Sequence, residues 1–129
     1  QTTGFVDTDF PLFRAADAYL MLAECAARGA ADNAKGLAAL NAVRERAGLE
    51  KVSSFTAQDV LDERGRELLW EGHRRTDLIR FGKFTTADYL WEYKGSVKEG
   101  AAVADYRNLF PLPPADVNAN SNLKQNAGY

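Results

Sequence analysis

Apolar residues near the start of the chain recur at the spacing of an α-helix. Steps of three and four residues separate five of them, Phe13, Ala16, Leu20, Ala23 and Ala27. Such steps place side chains on one helix face. The pattern therefore predicts a first helix over residues 13–28, ending before Gly29.

A second apolar pattern follows almost at once. Asp32 or Asn33 is expected to cap the helix that it forms, since short polar side chains accept hydrogen bonds from free amides at a helix start. The apolar residues predicted on its inner face are Leu37, Leu40 and Val43. The helix is predicted to end near residue 47, before Gly48.

These two helices predict an antiparallel hairpin, because the link between them is short. The hairpin is close to the period of a tetratricopeptide repeat, about 34 residues. Gly29 and Ala34 lie near that motif's turn glycine and small contact position. A single repeat cannot bury both of its faces. We therefore expect an exposed apolar patch, covered either by a partner or by missing repeats.

Thr56 marks the start of a third helix. The stretch from Thr56 to Asp59 resembles a capping box in which aspartate replaces the usual glutamate or glutamine. The inward positions predicted for this helix are Val60, Leu61, Gly65, Leu68 and Leu69, and Gly72 is expected to close it. A short fourth helix is predicted over residues 74–81, before Gly82.

The rest of the chain loses helical periodicity. Residues 85–108 predict loops and one short strand pair. The proline-rich stretch 109–114 predicts a rigid, extended segment, because proline fixes φ and restricts the residue before it. One helical turn near residues 116–118 and a polar, turn-rich tail follow. The predicted fold is mostly α: a tetratricopeptide-like hairpin, further helices and an irregular, loop-rich C-terminal region.

Composition narrows the function classes. The 129 residues carry 16 Lys and Arg against 18 Asp and Glu, a net charge of −2. This balance argues against nucleic-acid binding, which favours basic surfaces. A single histidine, His73, and a single cysteine, Cys25, exclude a multi-histidine metal site and an internal disulfide. No metal or cofactor is predicted, and Cys25 is expected to be a small buried apolar residue.

Charged residues are densest between residues 63 and 80. Six of them are predicted to form a structural ion-pair network, Arg64, Glu67, Glu71, Arg74, Asp77 and Arg80. The alternative is acid–base glycoside hydrolysis by Glu67 and Glu71. That chemistry needs one carboxyl group with a raised pKa, and neighbouring arginines push a carboxyl pKa down instead. We therefore expect no enzymatic activity.

Three aromatic residues alternate in the irregular region: Tyr89, Trp91 and Tyr93. In an extended segment they would share one face. Flat aromatic faces suit the stacking of sugar rings, so these residues are the candidate substrate-binding site. The alternative is a minor core beneath a long loop.

Three stretches resemble the C-terminal part of the SusD/RagB family. The first reads RAADAYLMLAE over 14–24 and continues as LNAVRERAGL over 40–49. The second, over 63–83, reads ERGRELLWEGHRRTDLIRFGK. The third joins LFPLP over 109–113 to NSNLKQNAGY over 120–129. Arg75, Thr76 and Ala127 depart from the family pattern without threatening the assignment.

This resemblance implies a longer parent chain built on tetratricopeptide-like helix pairs. The absence of an initiator methionine agrees with that expectation. Within a C-terminal portion spanning 1–129, we expect four parts. They are a lead-in over 1–12, the helix hairpin over 13–48, a charged helical segment over 56–83 and a loop-rich tail over 84–129.

The resemblance also implies a function. SusD/RagB proteins are outer-membrane lipoproteins of Bacteroidetes-type bacteria that capture oligosaccharides at the cell surface. They pass the sugar to a TonB-dependent transporter of the SusC type and do no chemistry on it. Their lipid-bearing cysteine and most glycan contacts lie upstream of this portion, so the missing N-terminal part is an expected partner. The alternative function is a tetratricopeptide-type protein-interaction module that binds no sugar.

Overall fold

The computed structural model describes Gly4 and residues 9–129, so most of the predicted lead-in lies outside the described residues. The α-helices are α1 (Ala15–Ala27), α2 (Asn33–Arg46), α3 (Ala57–Glu67), α4 (Arg74–Arg80) and α5 (Pro114–Ala119). Two 3₁₀ turns cover Lys94–Ser96 and Asp105–Asn108. No strand occurs in the described part, which confirms the mostly α fold class. The chain divides into two compact units, residues 1–74 and 75–129.

The core of the first unit lies among its three helices. Helix α1 packs against both α2 and α3. The buried residues of this core are Leu20, Ala23, Leu40, Val43 and Val60. Burying a side chain the size of leucine or valine contributes about 1.5–3 kcal/mol, so this cluster is the main support of the three-helix unit.

Two glycines shape the α1–α2 hairpin. Gly29 forms the turn with a φ of 78°, a left-handed conformation that strains other residues. Gly36 lies where the helices approach most closely, and a Cβ there would collide with the Cβ of Ala26. The prediction of Ala34 as the small contact position is wrong, because Ala34 is exposed.

Two predicted core residues of the first helix are exposed. Phe13 is 94% exposed because it precedes the first residue of α1 and does not share the helix face. Cys25 is exposed as well, so the expectation of a buried cysteine is wrong. At about 100° per residue, it lies roughly 140° around the helix from the buried Leu20.

The predicted capping box at the start of α3 is confirmed. The Thr56 hydroxyl accepts a hydrogen bond from the Asp59 amide at 3.3 Å, and the Asp59 carboxylate accepts one from the Thr56 amide at 2.7 Å. The Thr56 hydroxyl and the Thr56 amide both donate to the Asp59 carboxylate at 2.7 Å, and these two hydrogen bonds lower the pKa of Asp59. The helix ends at Glu67, and a turn through the left-handed Trp70, with a φ of 68°, leads toward α4.

The second unit begins after Arg74 and is largely irregular. The predicted strand pair within residues 85–108 is wrong. Gly95 and Gly100 have positive φ values there, and the backbone turns repeatedly where a strand would have to run straight. The polar tail is fixed by a side-chain amide, since Gln125 bonds both the amide and the carbonyl of Leu112 at 2.8 and 2.9 Å.

Candidate functional site

The charged residues of α3 pair with the hairpin. The guanidinium of Arg64, 3% exposed, donates to the Asp17 carboxylate of α1 at 2.7 Å. Glu67 accepts from Arg14 at 2.5 Å, and Glu71 accepts from the same guanidinium at 2.6 Å. One arginine before α1 therefore holds both carboxylates.

The pKa of the Arg14 guanidinium reflects its contacts with the two carboxylates. Its hydrogen bond with Glu67, together with the negative charges of Glu71 and Glu67, raises its pKa above the ordinary arginine value, although burial acts in the opposite direction. The two carboxylates considered for glycoside hydrolysis thus share a permanent cation. Their oxygens are used in tying α3 and the turn after it to the start of α1.

Two further arginines reach α3 from α2. The buried Glu63 accepts from Arg44 at 2.9 Å and from Arg66 at 2.7 Å through the same oxygen, Oε2. Arg46 reaches Glu67 at 2.6 Å, but its side chain is 61% exposed. An exposed pair of this kind contributes less than about 1 kcal/mol, whereas breaking a buried pair costs roughly 3–5 kcal/mol. The Glu63 and Asp17 contacts are therefore the stronger ties.

The remaining members of the predicted network lie at α4. Arg74 donates to the Leu61 carbonyl of α3 at 2.7 Å. Asp77 is buried and accepts from Arg80 at 2.8 Å within the same helix. The structural role of the six residues stays a prediction, and the geometry supplies a defined partner for each of them.

The three aromatic residues of the candidate binding site occupy different surroundings. Trp91 packs on Phe84, with ring centroids 6.2 Å apart, and on Tyr89 at 6.3 Å. Tyr93 is 66% exposed and has a left-handed φ of 65°. The segment is not extended, so the expectation that the three rings share one face through strand alternation is wrong.

Lys94 is a buried polar residue of this region that the sequence pattern did not predict. Its side chain is buried, and its ammonium donates to the carbonyls of Thr86 at 2.5 Å and Tyr89 at 2.7 Å. The same nitrogen lies 4.8 Å from the centroid of the Trp91 ring. Burial lowers the pKa of Lys94. No sequence signal marked it, because lysine is normally a surface residue.

In the described part of the chain, no group of three or more His, Cys, Asp or Glu side chains is arranged to hold a metal ion. Among the described residues, no helix combines the length and the apolar character needed to cross a bilayer.

Comparison with known sequences identifies the family. The sequence pattern of the SusD family matches residues 1–129, so the chain belongs to that family. The starch-binding protein SusD of Bacteroides thetaiotaomicron is 47% identical over 126 residues, which are 97% of this chain and 22% of that protein. The SusD-like protein P25 of Formosa agariphila is 33% identical over 92% of this chain and 24% of that protein.

Solved structures agree with this result. The surface glycan-binding protein A from Bacteroides uniformis superimposes with a TM-score of 0.77 at 30% identity, over 92% of this chain and 27% of that one. A surface glycan-binding protein A from Bacteroides thetaiotaomicron, solved in complex with laminarihexaose, gives 0.73 at 29% identity, over 91% of this chain and 24% of that one. The chain therefore spans about a quarter of the relatives' length.

Proposed function

We propose that the chain is part of a glycan-binding protein. The observation that carries the proposal is the 47% identity to a starch-binding SusD protein over 97% of the chain. A second relative was solved with laminarihexaose bound, and this chain shares its fold. Both ligands are glucose polymers, so neutral oligosaccharides are the ligand class that we propose.

The proposed role is capture and delivery without chemistry. In this role the protein holds an oligosaccharide at the outer-membrane surface and passes it to a TonB-dependent transporter of the SusC type. The ion pairs of Glu67 and Glu71 support a non-enzymatic role, because Arg14 engages both carboxylates. The first unit then serves as scaffold, and its α1–α2 hairpin belongs to the longer family fold.

The exposed apolar side chains of α1 fit that scaffold role. Tyr19 is 48% exposed, and Leu22, three residues later on the same side of α1, is 38% exposed. We propose that the remainder of a SusD-family chain covers this face in the longer protein. Among the three candidate aromatic residues, Tyr93 offers the most accessible ring, while Trp91 and Tyr89 pack on each other.

Calorimetric titration of the full-length protein tests the function. Laminarihexaose and a linear α-glucan of equal length are the two ligands, and free glucose is the control for chain-length dependence. We expect saturable binding of at least one hexasaccharide. Failure of both, together with failure of a wider oligosaccharide panel, would refute glycan capture. Stoichiometric binding of a purified protein partner in that case would favour the protein-interaction module.

Delivery is tested separately with purified components. A SusC-type transporter encoded beside this protein, reconstituted in detergent or nanodiscs, is expected to co-elute with it during size-exclusion chromatography. A TonB-dependent transporter from an unrelated locus is the matched control. Equal co-elution with both transporters, or with neither, would contradict a specific delivery partner.

A further inference from the structure

The second unit contains a surface depression that no sequence motif predicted. Its volume is about 340 Å³ and its wall is mainly polar. The side chains and backbone that line it include Tyr93, Gly95, Ser96, Tyr106, Arg107 and the segment 102–104. This volume falls at the lower end of the range for small-molecule sites, about 300–1,000 Å³, and matches one sugar ring better than an extended chain.

The rim of the depression has an unusual backbone. In the described part of the chain, three residues other than glycine have positive φ, and two of them, Tyr93 and Ser96, lie on this rim. Such conformations persist only where the surroundings enforce them, and they cluster at ligand sites. Here the enforcing contacts include the bond from the Ser96 amide to the Tyr93 carbonyl at 3.0 Å.

The floor beneath this rim is also fixed. The amide of Ala101 donates to the Lys94 carbonyl at 3.0 Å, and a Cβ on Gly95 would lie 3.2 Å from the Val103 side chain. The ammonium of Lys94 anchors the same turn from inside through the carbonyls of Thr86 and Tyr89. The depression is thus preorganised, which reduces the ordering cost of ligand binding.

Three side chains give the depression its chemistry. Tyr93 exposes its ring, and Tyr106 is held edge-on against Tyr129 with ring centroids 4.8 Å apart. The Arg107 guanidinium lies 5.6 Å from the Tyr106 ring centroid. Arg107 makes no ion pair within the part of the chain that the structure describes, so its donors are available for a ligand.

The charge around the depression favours a neutral ligand. Arg107 lines the depression and supplies one positive charge, and the exposed Asp105, which lies beside the lining residues Ala104 and Tyr106 in the chain, supplies one negative charge nearby. The Asp105 carboxylate accepts from the Thr85 hydroxyl at 2.7 Å and stays close to the same turn. A strongly anionic ligand would gain little from such a balanced pair.

We propose that this depression is a subsite for a single neutral hexose unit. The Tyr93 ring stacks on the apolar face of the sugar, and Arg107 with the exposed backbone groups donates to its hydroxyls. This inference rests on the proposed glycan-binding function and deepens it. It assigns sugar contacts to Tyr93, Tyr106 and Arg107 within a region of the family fold where the sequence had suggested Tyr89, Trp91 and Tyr93.

The test separates loss of the ring from loss of the fold. Tyr93→Gly removes the ring and relieves the left-handed strain, so we expect a higher Tm together with at least fivefold weaker binding of a hexasaccharide by the full-length protein. Ser96→Gly relieves strain on the same rim and keeps the ring, so we expect a higher Tm with binding unchanged within twofold. Arg107→Met is expected to weaken binding about threefold or more.

Two outcomes would overturn the subsite. If the wild type binds the hexasaccharide and both Tyr93→Gly and Arg107→Met bind it with the same Kd, the depression does not contact the glycan. The proposed function would then remain intact. Ligand-detected NMR with saturation of the tyrosine rings adds a direct readout. If the saturation transferred from the tyrosine rings to a bound hexose is equal in wild type and in Tyr93→Gly, the subsite is also overturned. A wild type that binds no oligosaccharide would refute the proposed function itself.

Discussion

The guanidinium of Arg74 lies against the backbone of Gly65. A Cβ built on Gly65 would come within 2.9 Å of Nη1 of Arg74. The same Nη1 donates to the Leu61 carbonyl at 2.7 Å. The missing side chain in the last turn of α3 therefore provides the space in which Arg74 reaches the helix backbone.

Gly65→Ala is expected to destabilise the protein by about 1 kcal/mol. In a helix, alanine is favoured over glycine by at most about 0.8–1 kcal/mol, but displacing Arg74 costs a charged hydrogen bond of about 1.5–3 kcal/mol. The same substitution in an Arg74→Ala background should stabilise the protein. Denaturant unfolding of wild type, the two single variants and the double variant measures the effect of Gly65→Ala in each background. If Gly65→Ala changes the free energy of unfolding in the same direction in both backgrounds, the contact with Arg74 is contradicted.

Gly36→Ala is expected to cost more than 2 kcal/mol. Its new methyl group would collide with the Cβ of Ala26 and push α1 away from α2, and overpacking of this kind costs about 1–3 kcal/mol. The swap Gly36→Ala with Ala26→Gly moves the methyl group to the opposite helix and should recover part of the loss. Thermal unfolding by circular dichroism checks this, and a swap less stable than the single variant would count against the packing argument.

Replacing two arginines that pair with acidic residues should lower the free energy of unfolding by very different amounts. Arg64→Leu leaves Asp17 without its buried partner, and we expect a loss of about 3 kcal/mol. Arg46→Leu removes a guanidinium that is 61% exposed, and we expect a loss below about 1 kcal/mol. Urea unfolding compares them directly, and equal losses would show that burial does not rank these ion pairs.

The capping box predicts how the free energy of unfolding changes at acidic pH. Hydrogen bonds from Thr56 lower the pKa of Asp59 below its unfolded value of 3.8. Their stabilisation is therefore complete above pH 3.8 and is lost as the pH falls through the depressed pKa. Asp59→Asn should be less stable than wild type by less than about 1 kcal/mol at pH 7, because the site is exposed.

This difference should shrink as the pH is lowered below 3.8. Unfolding curves between pH 2 and pH 7, roughly the range over which carboxylates titrate, provide the measurement. Asp9→Asn is the control, since Asp9 is exposed and lies outside the helices. A constant difference between wild type and Asp59→Asn across this range would refute the assignment.

Lys94→Met is expected to loosen the loop around Trp91. A fully buried carbonyl left without a donor costs about 1–3 kcal/mol. Lys94 satisfies the partly buried carbonyls of Thr86 and Tyr89, so its loss should cost less than this for each of them. We expect faster proteolysis within residues 83–98 and a lower Tm. Lys98→Met at an exposed position of the same loop is the control, and identical digestion of the two variants would contradict the anchoring role.

The sequence predicted the helices well because their apolar residues repeat over several turns. Leu20, Leu40 and Val60 all lie in the core, and the capping box marked the start of α3 correctly. Single positions were less predictable. Gly36 and Ala34 are both small, and only the geometry of the helix contact decides which of them lies between α1 and α2.

Polar residues that become buried were harder to recognise. Glu63 and Lys94 are buried because tertiary partners satisfy them, and neither has a periodic pattern. The alternation of Tyr89, Trp91 and Tyr93 suggested an extended strand, but spacing along the chain does not reveal the turn in which Tyr93 adopts a left-handed conformation. Local spacing could not reveal the depression beside Tyr106 for the same reason.

The buried ammonium of Lys94 takes the place that many surface loops give to a bound calcium or sodium ion. Carbonyl oxygens converge on it as they would on such an ion. A cation attached to the chain by covalent bonds cannot be diluted, exchanged or removed by a chelator. The carbonyl groups of the loop that carries Tyr93 are therefore satisfied without a dissociable metal ion.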